Sequence, residues 1–130
     1  MSLMWKWNEV ELPINMGDAG FQEKYEQAFK NMEKTELELE KVGMLSNITK
    51  QYCQMFYKFF DDVYGNGTGE KLFEGRMDML EIDMAYDSWI KLCAKDVDMI
   101  NKKRAALYGK YNVGKKRRIS FMRNILILSR

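Results

Sequence analysis

The chain contains only one proline, Pro13, so long stretches after it are free to be helical. From about Asp18 to Val42, apolar residues recur at steps of three, four and seven positions, which is the spacing of one face of an α-helix. Asp18 is a suitable N-cap for this helix, and Gly43 is a suitable terminator. The residues of the apolar face are Phe21, Tyr25, Phe29, Met32 and Leu39.

Two more long helices follow. The second begins near Ser46 and has the widest apolar stripe in the chain, so we predict that it is the central helix. The glycine-rich segment Gly65 to Gly69 ends it, and residues 70–75 leave room for one short turn before a third helix from about Asp78 to about Tyr108. The pattern therefore predicts a mainly α fold, a small helical bundle of three main helices. The apolar stripes consist of Ile48, Tyr52, Met55, Phe56, Phe59, Phe60 and Val63 in the second helix, and of Ile82, Tyr86, Trp89, Cys93, Val97 and Ile100 in the third.

Residues 4–14 precede the helices and indicate an N-terminal extended arm or short strand. Pro13 cannot donate a hydrogen bond to a sheet, which disfavours a central strand. Two tryptophans in such an arm are costly to leave in water, so they either fold back on the helices or bind a partner. We predict an arm over residues 1–17, a helical domain over 18–111 and a basic C-terminal tail over 112–130. Along the arm, Trp5 and Trp7 are expected on one face, and Val10, Leu12 and Ile14 on the other.

Charge is distributed unevenly along the chain. Residues 1–98 hold eleven Lys/Arg and all nineteen Asp/Glu, whereas residues 99–130 hold ten Lys/Arg and no acid. Such asymmetry indicates an acidic partner for the basic end, which can be nucleic acid, an anionic membrane surface or the acidic face of another protein. The alternative is that the basic end is a mobile, solvated tail. The cations that we select as candidate partner contacts are Lys102, Lys103, Arg104, Lys115, Lys116, Arg117 and Arg118.

The composition argues against an enzyme and against a bound cofactor or metal. The chain has no histidine, which removes the commonest general base and the commonest metal ligand. Cys53 and Cys93 are predicted to be reduced thiols in the core. The Gly65–Gly69 loop follows a helix and lacks the Lys-Ser/Thr pair of a phosphate-binding loop. The acidic pairs Asp61–Asp62 and Asp83–Asp87 are interpreted as solvated surface carboxylates rather than as a catalytic site.

The sequence pattern predicts neither a membrane-spanning segment nor a secretory signal. No apolar run approaches the ~18 residues of a membrane span. Residues 1–8 do not contain the apolar core of a secretory signal. The expected location is therefore the cytoplasm.

Three segments carry a family resemblance: WKWNEVELPINMGDAGF, YCQMFYKFFDDVYGNGTGEKLFEG, and AYDSWIKL followed by NKKRAALYGKY. They cover approximately residues 4–111. In these segments the chain resembles small proteins encoded among the tail genes of phages and prophages of Gram-positive bacteria, which look like tail assembly chaperones. The resemblance implies a cytoplasmic, non-enzymatic helper that binds the long helical tape measure protein, or another tail protein, and keeps it soluble. It also makes Trp5, Trp7 and Lys102 to Arg104 candidate contacts.

Two alternatives stay open from the sequence. A small basic-tailed nucleic-acid-binding or packaging accessory protein would use the same cations to contact phosphates. A homo-oligomer would use the same helical surfaces for self-association. Residues 119–130, ISFMRNILILSR, depart from the resemblance, which leads us to expect a chain that ends soon after the basic helix. No role is predicted for them.

Overall fold

The computed structural model describes residues 3–109, in which a β-hairpin precedes four helices. The hairpin consists of β1 (Leu3–Trp7) and β2 (Val10–Ile14), which pair antiparallel. The helices are α1 (Ala19–Glu38), α2 (Leu45–Tyr64), α3 (Thr68–Phe73) and α4 (Met79–Tyr108). The prediction of a mainly α fold with three long helices and an N-terminal strand is confirmed. The proposed tail, residues 112–130, lies outside the described residues.

The hairpin closes through a two-residue turn at Asn8 and Glu9, whose φ angles are +47° and +70°. Positive φ at both turn residues matches the twist of a tight hairpin, and Asn adopts this geometry readily. The register places Trp5 opposite Leu12, and directly opposite side chains of a hairpin share one face. The prediction that the tryptophans and the apolar residues of β2 lie on different faces is therefore wrong. It treated residues 4–14 as one continuous strand.

The first long helix begins where the sequence predicts, since the Asp18 carboxylate accepts a hydrogen bond from the Phe21 backbone N–H at 3.0 Å. It ends at Glu38, whereas the predicted end was Val42. Glu36 and Glu38 lie in its last turn, where negative charge interacts unfavourably with the helix dipole. The backbone leaves the helix at the C-cap Leu39, whose φ and ψ are −68° and 139°, before the glycine that was expected to terminate it.

The glycine-rich loop after α2 leads directly into the short helix α3. A Cβ atom added to Gly69 would lie 2.7 Å from the Cα atom of Tyr57, so α3 packs against the backbone of α2. The Gly69 N–H donates a 2.9 Å hydrogen bond to the Asp61 carboxylate, which satisfies an N–H group in the first turn of α3. The loop is therefore an interhelical turn whose last glycine is required by close packing.

The central helix is α2, as its wide apolar stripe predicts. The Phe59 ring lies 5.1 Å from that of Phe29 on α1 and 5.4 Å from that of Trp89 on α4, measured between centroids. The neighbouring Phe60 ring stacks on Trp5 of β1 at 5.3 Å. One helix thus joins α1, α4 and the hairpin in a single aromatic core.

Both cysteines lie in this core. Cys53 belongs to α2 and Cys93 to α4, and each is a buried free thiol. Burial raises the pKa of each thiol above its ordinary value, which keeps both protonated near neutral pH. The prediction of reduced core thiols is confirmed.

Candidate protein-docking surfaces

Trp5, one of the selected partner contacts, lies in the protein's own core with 3% of its surface exposed. Its indole N–H donates a 2.8 Å hydrogen bond to Ser88 Oγ of α4. Of the two fates expected for the arm, the structure shows that it folds back on the helices. Trp5 is therefore removed from the candidate partner contacts, because almost none of its ring reaches the surface.

Trp7 occupies a different position at the edge of the same cluster. Its ring lies 6.3 Å from that of Trp5, and its indole N–H donates to Glu81 Oε2 at 3.4 Å. The side chain is half-buried, so part of the ring still faces solvent. Trp7 stays a predicted contact.

Glu81, in the first turn of α4, joins three parts of the molecule. Its carboxylate accepts hydrogen bonds from Arg76 Nε and Nη2, both at 2.9 Å, and from Asn8 Nδ2 at 2.7 Å. The Arg76 hydrogen bonds are the largest cause that lowers the pKa of Glu81 to about 2, with smaller contributions from Asn8 and Trp7 and an opposing effect of burial. An ionised carboxylate in this position fixes the hairpin turn to α4.

The basic contacts selected from the sequence include three residues in the last turns of α4. The Lys102 side chain is 80% exposed and reaches Asp98 only at 3.9 Å, so its charge faces water. Lys103 is also exposed. Arg104 lies over the ring of Tyr108, with 5.3 Å between the guanidinium carbon and the ring centroid. The other four, Lys115, Lys116, Arg117 and Arg118, lie outside the described residues.

The members of the acidic pairs named from the sequence make different contacts in the structure. Asp83 accepts a hydrogen bond from the Tyr52 hydroxyl, whereas Asp87 forms an ion pair with Lys91 at 2.8 Å. Asp62 has only 19% of its side chain exposed and accepts from neighbouring side chains, so it is not the solvated carboxylate that the sequence suggested. Among the described residues, no three His, Cys, Asp or Glu side chains are grouped as metal ligands would be.

A groove between α1 and α4, which we call the acidic groove, was not foreseen from the sequence. Its volume is about 240 Å³, and α2 forms its floor. Glu33 and Glu36 of α1 are exposed at its rim. The described residues that line it include no Lys or Arg. Its apolar and aromatic lining consists of Phe29, Met32, Tyr52, Met55, Phe56 and Tyr86.

Tyr52 links the acidic groove to a third carboxylate. Its hydroxyl donates to Asp83, which is exposed on α4. Burial raises the pKa of Tyr52, and the hydrogen bond to Asp83 raises it further, so the phenol stays protonated. The groove therefore has an apolar floor, carboxylates of α1 at its rim, and a tyrosine hydroxyl that is hydrogen-bonded to a carboxylate of α4.

A second groove, the outer groove, lies between α1 and α2 and has a volume of about 310 Å³. Glu38 and Lys58 both contribute to its lining, so charges of both signs are present. Gln51 and Gln54 make it more polar than the acidic groove. The two grooves are similar in size and differ in charge, which makes the outer groove a natural control.

Six large apolar side chains project from one end of the molecule, which we call the apolar end. Val42 is 89% exposed and Leu45 78% exposed, which is unusual for residues of this type. Thr49 Oγ1 lies 3.9 Å from Met79 Sδ, so the first turns of α2 and α4 are neighbours. The apolar end consists of Leu37, Val42, Met44, Leu45, Leu80 and Met84.

Comparison with known proteins gives one match. The model of a family described as a family of unknown function, DUF6673, matches residues 8–121. That range includes β2 and all four helices and leaves out β1 with both of its tryptophans. No curated protein and no solved structure matches the chain. Within the described part of the chain, no helix combines the length and the apolar composition that crossing a membrane requires.

Proposed function

We propose that this chain, which belongs to the DUF6673 family of unknown function, is a non-enzymatic, phage tail assembly chaperone-like protein of the bacterial cytoplasm. It binds a partner protein through exposed helical surfaces, and the tape measure protein is the first candidate. The observation that supports binding is the apolar end. The resemblance of residues 4–111 to tail-region proteins supports the choice of partner.

The apolar end has the properties of a binding surface for a helix. Burying one of its leucines in a partner contributes roughly 1.5–3 kcal/mol before the entropic cost of association. Its methionines, Met44 and Met84, can adapt to irregular partner surfaces. A long helical partner offers apolar residues at steps of three and four positions, which is the spacing that such a surface can engage.

The proposal is tested by co-expressing the full chain with a tail tape measure protein, the first candidate partner. We expect the soluble fraction of the tape measure protein to rise several-fold, and the two proteins to co-purify. The double variant Leu37→Ser, Leu45→Ser should lose that effect while keeping its circular dichroism spectrum and melting temperature, because both side chains are already exposed.

The matched control is Met4→Ser, which removes a 52% exposed apolar side chain from β1, outside the apolar end. This variant should bind like the wild type. Two results would contradict the proposal: no increase in soluble tape measure protein with the wild type, or equal binding by the double variant and the control.

A nucleic-acid accessory protein is the second candidate, and the exposed ammonium groups of Lys102 and Lys103 favour it. Phosphate binding releases counterions, so the affinity for a DNA duplex or a single strand should fall steeply between about 50 and 200 mM salt. The variant Lys102→Gln, Lys103→Gln should reduce that slope. Binding at the apolar end should respond much less to salt, which separates the two candidates.

Self-association through the apolar end is a third outcome of the same experiments. Light scattering of the wild type should then report a dimer or a larger species. Leu45→Ser would lower the molecular mass towards that of a 15.4 kDa monomer. A monomeric wild type would exclude a stable homo-oligomer.

A further inference from the structure

We propose that the acidic groove between α1 and α4 is the docking site for residues 119–130 of the same chain. The inference rests on the shape and charge of the groove and on the composition of this segment. It does not depend on the chaperone-like role proposed above.

The lining of the acidic groove defines what it can bind. Its floor is formed by Met55 and Phe56, which are buried, and by the ring of Tyr52. Carboxylates of Glu33 and Glu36 stand above this floor. Because the described lining contains no Lys or Arg, an anionic or purely polar segment would be disfavoured there. The groove therefore selects a segment that is both apolar and cationic.

Residues 119–130 have this composition. The segment ISFMRNILILSR contains two arginines and no acid, and four cations precede it at positions 115–118. A few of its apolar side chains are enough to occupy a groove of about 240 Å³, while an arginine of the segment can pair with a carboxylate at the rim. The apolar side chains of the segment are Ile119, Phe121, Met122, Ile125, Leu126, Ile127 and Leu128.

The segment is long enough to reach the groove. Tyr86, in the groove wall, and Gly109, the C-cap of α4, are separated by about 35 Å at a rise of 1.5 Å per residue. The chain from Gly109 to Ile125 can span up to roughly 50 Å when extended. A tethered segment also has an effective concentration of the order of millimolar, which favours the same chain over a second copy.

Disulfide trapping in the full chain tests the docking. We introduce Ile125→Cys together with Met32→Cys in the wall of the acidic groove, and compare it with Ile125→Cys together with Gln54→Cys in the outer groove. Under mild oxidation the first pair should form a disulfide at least tenfold faster than the second. The product should run as a monomer on a non-reducing gel, at a rate independent of protein concentration. Cys53 and Cys93 are buried and should not compete.

A charge reversal gives an independent readout. In the Met32→Cys, Ile125→Cys background, the changes Glu33→Lys and Glu36→Lys should slow disulfide formation about tenfold. Glu23→Lys, an exposed position on the same helix that does not line the groove, should leave the rate unchanged. Equal rates for the two cysteine pairs would overturn the proposal. A disulfide-linked dimer whose formation accelerates with concentration would also overturn it, since the occupant would then be a second copy.

Discussion

The buried carboxylate of Asp96 accepts a 2.8 Å hydrogen bond from the backbone N–H of Met16. Asp96 is 4% exposed and lies on α4, whereas Met16 is 1% exposed and follows β2. This single contact attaches the end of the hairpin to the long helix. The contact explains why an acidic side chain lies on the buried face of α4.

Replacing Asp96 by Ala should destabilise the protein by about 1–3 kcal/mol, because the Met16 N–H loses its buried acceptor. Urea unfolding followed by circular dichroism measures the change. Asp98→Ala is the matched control, since the Asp98 side chain is 65% exposed, and it should cost less than about 0.5 kcal/mol. Equal losses in the two variants would show that the hydrogen bond contributes nothing measurable.

The pair of Glu81 and Arg76 should make stability depend on acid pH. Arg76 lowers the pKa of Glu81 to about 2, below its ordinary value of 4.5, so the stabilisation is complete above about pH 4.5 and is lost as the pH falls towards 2. Near neutral pH, Glu81→Gln should unfold with a free energy about 1 kcal/mol lower than the wild type, since partial exposure screens the pair.

Thermal melts of both proteins between pH 2 and pH 7 provide the measurement for this pair. The difference between wild type and Glu81→Gln should shrink through that acid window. A difference that is the same at pH 7 and pH 2 would contradict the assigned role of the carboxylate.

Phe59→Ala should cost about 3–5 kcal/mol, because this 1% exposed ring contacts aromatic rings on both α1 and α4. Chemical unfolding should show a lower midpoint with an unchanged slope. Leu45→Ala, on the same helix but 78% exposed, should change stability by less than about 0.5 kcal/mol. A loss below about 1 kcal/mol for Phe59→Ala would mean that α2 is peripheral.

Gly69→Ala should destabilise the protein by about 1–3 kcal/mol, because the new Cβ atom would lie 2.7 Å from Cα and 2.8 Å from the carbonyl oxygen of Tyr57. These are backbone atoms and cannot move away as the end of a side chain can. Lys71→Ala, exposed on the same short helix, is the control and should be nearly neutral. A stabilised Gly69→Ala variant, as helix propensity alone would give, would refute the close packing.

The long helices could be predicted because their apolar stripes repeat with the helical period over five or more turns. The N-caps at Asp18 and Asp78 are also local signals, and both carboxylates accept from the N–H three residues further on. The hairpin could not be predicted with the same ease, because its turn uses Asn8 and Glu9 rather than an Asn-Gly or Gly-Gly pair. A glutamate that adopts a positive φ cannot be recognised from the residue types of the segment.

The candidate docking surfaces were predictable only in part. Exposed lysines at 102 and 103 follow from composition and helical position. The burial of Trp5 depends on contacts with Ser88 and Phe60 far along the chain, which no local pattern encodes. The acidic groove depends on how far α1 and α4 separate above α2. The groove is lined by residues of three helices, so no single segment of the sequence predicts it.

Two hydrogen bonds that attach the hairpin region to α4 join residues 80 or more positions apart, Trp5 with Ser88 and Met16 with Asp96. During translation at about 5–20 residues per second, the N-terminal strands are therefore made roughly 4–16 s before the helix that receives them. Until α4 leaves the ribosome, the Trp5 indole N–H lacks its acceptor, Ser88, and within the described contacts the ring can stack only on Trp7 and on Phe60 of α2. The newborn N-terminus is then itself a candidate for assistance by cellular folding factors.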